Sequence, residues 1–240
     1  MRILIVEDDK QASNIILNAL RSEGFMCDAT DLGEDALQLT KLYKYDGIIL
    51  DLMLPDMEGM EFLRRLRANK NHTPVIILSA LDGIAEKVKG FNSGCDDYVA
   101  KPCNNNELIA RLHAVVRRAM GYSDSTIEVG RLSINLQTRT AEIDGIPLKL
   151  TGKEYAILEL LMLKKGYTLS KESFLTHLYD ERSEEPAQKI VDVFMCKLRK
   201  KLDQALGEKD SYIETIWGRG YMLVNPEKKN EEEKLAKANA

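Results

Sequence analysis

Four short apolar runs in the first half of the chain end in residues that suit phosphate chemistry. The runs end in Glu7-Asp8-Asp9, in Asp51, in Ser79 and in Lys101. Clustered carboxylates repel one another and favour a bound cation, and oxygen ligands indicate Mg²⁺. An aspartate can act as a nucleophile and form an aspartyl-phosphate, while an ammonium and a hydroxyl stabilise the phosphoryl oxygens. The set therefore predicts phosphoryl transfer onto a carboxylate.

The apolar runs predict a sheet that brings these residues together. They cover residues 3–6, 48–54, 75–78 and 98–100, with a weaker run at residues 27–30, and helix-period stretches lie between them. Short, nearly continuous apolar runs are typical of parallel strands covered on both faces. We expect an α/β doubly wound, five-stranded parallel sheet, whose ligands bind beyond the carboxyl ends of its strands.

Each of these residues also has a plainer explanation when it is taken alone. An aspartate at a strand end usually caps a helix or forms a turn, and Glu7-Asp8-Asp9 alone favours a cap. Four strand ends with complementary chemistry favour the phosphoryl site instead. Two function classes share that chemistry: a protein that stores a phosphoryl signal, and a phosphatase with an aspartate nucleophile that acts on small phosphoesters.

Length and composition exclude several classes of protein. A chain of 240 residues with 44% apolar and 30% charged residues has ordinary globular composition and room for two domains. No apolar run approaches the length of a membrane helix, and acids follow MRILIV where a signal peptide would continue its apolar stretch. The four cysteines form no CxxC motif and fit reduced thiols, which predicts a cytoplasmic protein. The net charge of −4 argues against nucleic acid only if the charges are evenly spread.

The second half of the chain has a different pattern, with short strands separated by turns. Strands are expected at residues 127–129, 132–135, 140–143 and 147–150, helices at 151–165, 170–179 and 187–206, and a closing hairpin at 213–216 and 221–224. Asp144-Gly145 is a strong hairpin signal. This order predicts an α+β winged helix-turn-helix. The expected domains are residues 1–118 and 127–225, joined by a linker at 119–126 and followed by a charged, disordered tail at 226–240.

The last long helix carries a local excess of positive charge. We expect Ile190, Phe194, Leu198 and Leu202 to form its buried stripe. Its other side offers cations that can neutralise phosphates or read guanine, namely Lys189, Lys197, Arg199, Lys200 and Lys201. The glycines around Arg219 would let that side chain approach a DNA backbone or a minor groove closely. Taken alone, the basic end of such a helix is explained by its own dipole.

Residues 1–118 resemble the receiver domain of bacterial response regulators, in ILIVEDD, ILDLMLPDMEGMEFLRRLR, PVIILSA and GCDDYVAKP. The resemblance implies a flavodoxin-like fold, with Asp51 as phospho-acceptor. It further implies that Asp8, Asp51 and the Met53 carbonyl hold Mg²⁺, with Glu7 acting through water, and that Ser79 and Lys101 grip the phosphoryl group. Tyr98 would be an aromatic switch that turns inward on phosphorylation, and Lys101-Pro102 a cis peptide bond.

Residues 127–225 resemble the DNA-binding domain of the OmpR/PhoB subfamily, in LTGKEYAILELL, YTLSKESFLTHLY, VDVFMCKLRKKL and IETIWGRGYML. The resemblance implies a transcription regulator of a two-component phosphorelay, not an enzyme. Its partners would be a histidine kinase or phosphotransferase, double-stranded promoter DNA, and RNA polymerase at the acidic loop 180–188. Within the subfamily the match is closest to cell-cycle regulators of alphaproteobacteria, which implies control of cell-cycle genes.

The resemblance also implies a homodimer on activation. The expected interface pairs Lys87 with Glu107, Asp97 with Arg111, and Asp96 with Arg118, around an apolar patch of Val88, Phe91 and Ile109. The alternative is a solvated helical surface, because exposed ion pairs contribute only about 0–1 kcal/mol each. A constitutive DNA binder with a vestigial receiver remains a further alternative.

Overall fold

The computed structural model describes residues 1–179, 188–207 and 212–226, and the chain divides into two compact units between Ser123 and Asp124. The first unit alternates strands and helices. In chain order they are β1 (Arg2–Val6), α1 (Lys10–Ser22), β2 (Met26–Thr30), α2 (Gly33–Leu42), β3 (Gly47–Leu50), α3 (Gly59–Ala68), β4 (Val75–Ser79), α4 (Ile84–Asn92), β5 (Asp97–Ala100) and α5 (Asn105–Ala119).

The first unit is a five-stranded parallel sheet in the order β2-β1-β3-β4-β5. Alternate side chains of β1 enter two cores: Ile3 and Ile5 pack with α1 and α5, whereas Leu4 and Val6 pack with α2 and α3. The predicted flavodoxin-like sheet, covered on both faces, is confirmed. β3 ends at Leu50, so the apolar residues that follow belong to a loop rather than to the strand.

Two aspartates show how local chemistry starts the helices of this sheet. The Asp9 side chain accepts hydrogen bonds from the Gln11 and Ala12 amides and caps α1, so the plainer explanation applies to Asp9 itself. No side chain at Leu32 caps α2. Instead, the Asp56 carboxylate accepts from the Gly33 and Glu34 amides, both at 2.9 Å, and so ties the loop after β3 to α2.

The second unit contains an antiparallel sheet, three helices and a closing hairpin among its described residues. The elements are β6 (Thr126–Val129), β7 (Leu132–Asn135), β8 (Thr140–Ile143), β9 (Ile146–Pro147), α6 (Gly152–Leu163), α7 (Lys171–Leu178), α8 (Lys189–Leu206), β10 (Ile213–Ile216) and β11 (Gly220–Leu223). The sheet order is β6-β7-β8-β9, and β10 pairs with β11. This arrangement confirms the predicted winged helix-turn-helix.

The hairpin between β8 and β9 forms as predicted, but β9 is shorter than expected. Asp144 and Gly145 both have positive φ, 50° and 77°, as a tight turn of this kind requires. The strand predicted for residues 147–150 is wrong, because β9 covers only Ile146–Pro147. Pro147 has no amide hydrogen to donate to a ladder, and the chain soon turns into the Thr151 cap of α6.

The buried stripe of α8 differs from the prediction. Val191, Met195, Leu198, Leu202 and Leu206 are buried, whereas Ile190 and Phe194 are half-buried. The prediction was wrong for those two because steps of four residues drift by about 40° around a helix at each step. Ala187, the first residue of the predicted helix, and residues 227–240 of the predicted charged tail lie outside the described residues. Among the described residues, no helix has the length and hydropathy needed to cross a bilayer.

Candidate functional site

The carboxyl ends of β1, β3, β4 and β5 bring the predicted phosphoryl residues together. Glu7 and Asp51 are buried, and Asp8 is exposed beside them. One oxygen from each of these three carboxylates lies within 4.8 Å of the others. Ser79 is buried at the end of β4, next to β5 in the sheet. The parallel sheet therefore builds an acidic pocket with an open side at Asp8.

Lys101 binds the two buried carboxylates of this pocket and offsets part of their charge. Its Nζ donates to Asp51 Oδ2 at 2.6 Å and to Glu7 Oε2 and Oε1 at 2.6 and 2.8 Å. Burial acts to lower the pKa of Lys101, but hydrogen bonds and charges from Asp51 and Glu7 outweigh it and raise the pKa. Burial raises the pKa of Glu7, and the Lys101 ammonium opposes that rise. A charged lysine therefore lies within hydrogen-bonding distance of the predicted phospho-acceptor.

The loop after β3 is held close to Asp51. The Met53 amide donates to Asp51 Oδ1 at 3.2 Å, and the Met53 side chain is half-exposed. A Cβ on Gly59 would lie 2.4 Å from the Asp51 carbonyl oxygen, so only glycine permits this approach of α3. These contacts set the direction of the Asp51 carboxylate and keep the Met53 backbone at the rim of the pocket.

Tyr98 already lies inward in this structure. Its ring is buried in β5 and its hydroxyl donates to the Leu81 carbonyl oxygen. Burial raises the pKa of Tyr98, which keeps this donor protonated. The Leu81 amide donates to Ser79 Oγ at 3.3 Å, so one short loop contacts both side chains. The predicted cis bond at Lys101-Pro102 is present.

The face formed by α4, β5 and α5 exposes apolar side chains. Val88 and Phe91 are about half exposed, and Ile109 packs partly against the core. Within the protomer, Arg111 binds Asp97 at 3.0 Å and Glu107 at 2.9 Å.

The other charges of this face are placed differently. Asp96 accepts from Arg67 at 3.1 Å and from the Val75 amide at 2.8 Å. Lys87 is half-buried and Arg118 is exposed. The predicted pairs between protomers stay predictions.

The predicted DNA-contacting cations separate into two groups. Lys189, Lys197, Lys200 and Arg219 are exposed. Arg199 and Lys201 are half-buried and bind groups of their own unit. The sequence alone could not distinguish these two groups, because all six residues have the same charge and five lie on one helix.

Lys201 joins α8 to the start of α6. Its Nζ contacts Glu154 Oε2 at 2.6 Å and the Lys149 carbonyl at 2.8 Å. Glu154 also accepts from the Thr151 amide and completes a capping box with that residue. Burial acts to raise the pKa of Glu154, but Lys201 and Thr151 outweigh it and lower the pKa. The spacing of Thr151 and Glu154 is the one sequence signal that could have indicated a structural role for Glu154 at the start of α6.

A groove of about 850 Å³ follows the exposed side of α8 and reaches β11. Asp192, Cys196, Arg199, Lys200 and Tyr221 are among the residues that line it. At the far end of the hairpin, Trp217 is 89% exposed in the same turn as Arg219. The groove thus reaches the hairpin at Tyr221, and the exposed turn of the same hairpin carries Arg219.

Comparison with known proteins agrees with this two-unit arrangement. Residues 3–113 match the family model of the response regulator receiver domain, and residues 145–223 match that of the transcriptional regulatory protein, C terminal. The cell cycle response regulator CtrA of Brucella anthropi is 54% identical over 227 residues, covering 95% of this chain and 97% of that protein. CtrA of Brucella ovis has the same identity and coverage.

Solved structures of response regulators are also similar. The response regulator DrrB, a Thermotoga maritima OmpR/PhoB homolog, is 30% identical, with a TM-score of 0.45, over 93% of this chain and 98% of that chain. The receiver domain of the Francisella response regulator 1452 is 38% identical, with a TM-score of 0.48, over 49% of this chain and 97% of that one.

A receiver domain followed by a transcriptional regulatory domain defines a response regulator of the OmpR/PhoB type, which is a DNA-binding regulator rather than an enzyme. Receiver domains of this class bind Mg²⁺ at an acidic site and work with a phosphodonor kinase, and the second domain indicates promoter DNA as a partner. The chain belongs to the CtrA family of response regulators. The predicted class is confirmed, and the phosphatase alternative is wrong.

Proposed function

We propose that Asp51 accepts a phosphoryl group from a histidine kinase or phosphotransferase, and that its phosphorylation promotes dimerisation and binding to promoters of cell-cycle genes. The single observation that carries this proposal is the bridge from Lys101 to Asp51 and Glu7 at 2.6 Å, beside Asp8. Lys101 places its charge beside the carboxylate onto which the phosphoryl group would be transferred. The name of the Brucella relatives supports the cell-cycle role.

Each pocket residue has a distinct part in the proposed transfer. An Asp51 oxygen attacks phosphorus, and the leaving group departs with the electrons of its former bond to phosphorus. Lys101 and Ser79 stabilise the phosphoryl oxygens. Mg²⁺, held by Asp8, Asp51, the Met53 carbonyl and Glu7 through water, would supply positive charge that offsets the repulsion between donor and carboxylates.

Phosphorylation would then bias the face of α4, β5 and α5 toward a dimer. By analogy with other phosphorylated side chains, the phosphoryl group carries about two negative charges and three acceptor oxygens near Ser79 and the loop that contacts Tyr98. Because it replaces the single charge of the Asp51 carboxylate, the net gain is about one negative charge. Because the Tyr98 ring is already inward, the proposed switch acts on a conformation that the unmodified chain can adopt. Val88 and Phe91 supply exposed apolar area. In the proposed dimer, the pairs Lys87–Glu107, Asp97–Arg111 and Asp96–Arg118 would form between protomers and supply register more than affinity.

The proposed promoter contacts lie on the second unit. Lys189, Lys197 and Lys200 offer exposed charge along α8, and Arg219 offers a fourth cation at the hairpin tip. A contact of the acidic loop 180–188 with RNA polymerase remains part of the proposal, although residues 180–187 lie outside the described ones. The proposed domain limits are residues 1–118 and 127–225, with a linker at 119–126 between them.

Phosphorylation with a small acyl phosphate and Mg²⁺ tests the receiver chemistry. We expect one phosphoryl group per chain by intact mass, none in Asp51→Asn, and strong loss in Asp8→Asn and after chelation of the metal. Asp35→Asn is the matched control, because Asp35 is an exposed acid in the first turn of α2, outside the pocket. Full labelling of Asp51→Asn or of Asp8→Asn would contradict the proposed pocket.

Genome-wide mapping of bound DNA tests the output. We expect the wild type to occupy promoters of cell-cycle genes and Asp51→Ala to lose most of that occupancy. Occupancy that is identical in the two strains would favour the constitutive DNA binder with a vestigial receiver. Binding without any preference for cell-cycle promoters would contradict the proposed regulon while leaving the receiver chemistry intact.

A further inference from the structure

Arg199 directs its guanidinium at the hairpin. Its Nε and Nη2 donate to the Ile213 carbonyl at 3.0 and 2.8 Å, and Nη2 donates to Thr215 Oγ1 at 2.8 Å. The guanidinium carbon lies 5.6 Å from the centre of the Tyr221 ring. One side chain of α8 thus contacts both strands of the hairpin, β10 and β11.

Asp192, two turns earlier on α8, holds the other side of Tyr221. The Tyr221 hydroxyl donates to Asp192 Oδ1 at 2.5 Å, and Lys171 binds Asp192 Oδ2 at 2.8 Å. Tyr221 is buried, and its ring meets Phe174 of α7 edge-on at 6.3 Å. These contacts join the hairpin to α7 as well as to α8.

The backbone of the hairpin is seated beside α7 with little room for adjustment. Leu169 and Tyr221 exchange hydrogen bonds between their amides and carbonyls at 2.8 and 2.9 Å. Gly220 has a φ of +135°, and a Cβ there would lie 1.9 Å from the Leu169 carbonyl oxygen. The start of β11 is therefore fixed directly beside the turn that carries Trp217 and Arg219.

We propose that Asp192, Arg199 and Tyr221 form a clamp that sets the position of the hairpin tip relative to the exposed cations of α8, and that Arg199 is a positioning residue rather than a DNA contact. This inference rests on the proposed DNA interface. Nε and Nη2 of Arg199 are already occupied by Ile213 and Thr215. A bidentate contact with a base or a phosphate would therefore require one or more of these bonds to break, and their loss would cost about as much as the new contact returns. Lys197 and Lys200 lie exposed on the same helix and need no such exchange.

The dependence of affinity on salt separates a positioning residue from a phosphate contact. Each phosphate that a cation neutralises contributes about −0.9 to the slope of log K against log salt. The full-length protein, treated with an acyl phosphate and Mg²⁺, is titrated at several salt concentrations onto a duplex enriched by the wild type from a random pool. The variants are Arg199→Gln, Tyr221→Phe and their double mutant. Lys197→Gln removes one exposed charge of the same helix, and Tyr167→Phe removes the hydroxyl of an exposed tyrosine outside the clamp.

We expect Lys197→Gln to reduce the magnitude of the slope by about 0.9, whereas Arg199→Gln keeps the wild-type slope. Arg199→Gln and Tyr221→Phe should each weaken binding by roughly tenfold, about the value of one charge-assisted hydrogen bond, and the double mutant by less than the product of the two. Tyr167→Phe should bind as the wild type does. The order of preference among duplexes with single base-pair changes should stay the same in Arg199→Gln, since no base contact is removed.

Three results would overturn the clamp. The first is that Arg199→Gln reduces the salt slope as much as Lys197→Gln does. The second is that Arg199→Gln loses the preference for one base pair of the duplex. The third is that Tyr221→Phe binds the duplex with wild-type affinity. Tyr221→Phe keeps the ring and all charges, so it tests the clamp even if Arg199→Gln unfolds. If the wild type binds without any salt dependence, or enriches no duplex from the pool, the proposed DNA interface itself fails, which is a different outcome from these three.

Discussion

Replacing Lys201 with methionine separates a structural role from a role in DNA contact. Lys201 was expected to face DNA, yet its ammonium lies 2.6 Å from a Glu154 carboxylate whose side chain is only 4% exposed. Methionine keeps the length and apolar stem of the side chain but removes the charge. The Lys201→Met variant therefore leaves Glu154 with the Thr151 amide as its described hydrogen-bond donor.

The size of the effect follows from the burial of the two partners. Removing one partner of a fully buried pair costs about 3–5 kcal/mol. Lys201 is 34% exposed. Water therefore screens part of the interaction, and Glu154 keeps its backbone partner. For these two reasons we expect Lys201→Met to lower the free energy of unfolding by about 1–2 kcal/mol. For a unit of this size each kcal/mol lowers the unfolding temperature by about 4–8 °C.

The pH dependence supplies a second signature. The pKa of Glu154 is lowered in the folded chain from its ordinary value of 4.5. A carboxyl with a lowered folded-state pKa contributes stability that is fully present above its unfolded pKa and is lost as pH falls through the folded pKa. The difference between wild type and Lys201→Met should therefore be largest near neutral pH and shrink as pH falls below about 4.5.

Scanning calorimetry of the full chain measures this effect, with the transition of the receiver unit as internal reference. Lys200→Met is the matched control, because Lys200 is exposed next to Lys201 and should leave the unfolding temperature unchanged. In DNA titrations the two variants should behave the other way round. Lys200→Met should reduce the dependence of DNA affinity on salt, and Lys201→Met should leave it unchanged. The reasoning is refuted if Lys201→Met keeps wild-type stability at neutral pH and lowers the salt slope as Lys200→Met does.

Three further predictions concern other parts of the chain. Asp56→Ala removes the acceptor of the Gly33 and Glu34 amides and should lower the free energy of unfolding of the receiver by about 1–2 kcal/mol in urea titrations; no change would show that water replaces the cap. Gly220→Ala places a Cβ against the Leu169 carbonyl, so DNA binding should be lost while Asp51 is still phosphorylated, and retained binding would argue against a fixed start of β11. Phe91→Asp puts a charge on a half-exposed apolar position, so sedimentation of the phosphorylated chain should show monomers, with the exposed Phe91→Leu variant still dimeric.

The receiver pocket was predictable because its residues follow buried strands. Short apolar runs identify parallel strands, and the carboxyl ends of such strands meet at one edge. Asp51, Ser79 and Lys101 could therefore be placed together before any distance was known. The hairpin at Asp144-Gly145 was predictable for a local reason, since few residues tolerate positive φ at both turn positions.

Partners that are distant in sequence were not predictable. Asp56 caps a helix 23 residues away, and Lys201 binds Glu154 across 47 positions. The phase of α8 also escaped the sequence pattern, because Val191 and Met195 are buried where Ile190 and Phe194 were expected. A helix with apolar residues at neighbouring positions has more than one possible buried face, and only the elements packed against it select one.

The sequence by itself determined the class of fold, the acidic pocket and the basic helix, because these depend on periodicity, residue type and position along strands. Tertiary structure decided what each cation of that helix does. Arg199 and Lys201 carry the same kind of charge as Lys197 and Lys200, yet the first two bind the hairpin and α6 while the latter two remain exposed. The physical reason is that a side chain's role depends on which groups the fold places within hydrogen-bonding distance, and charge alone does not specify them.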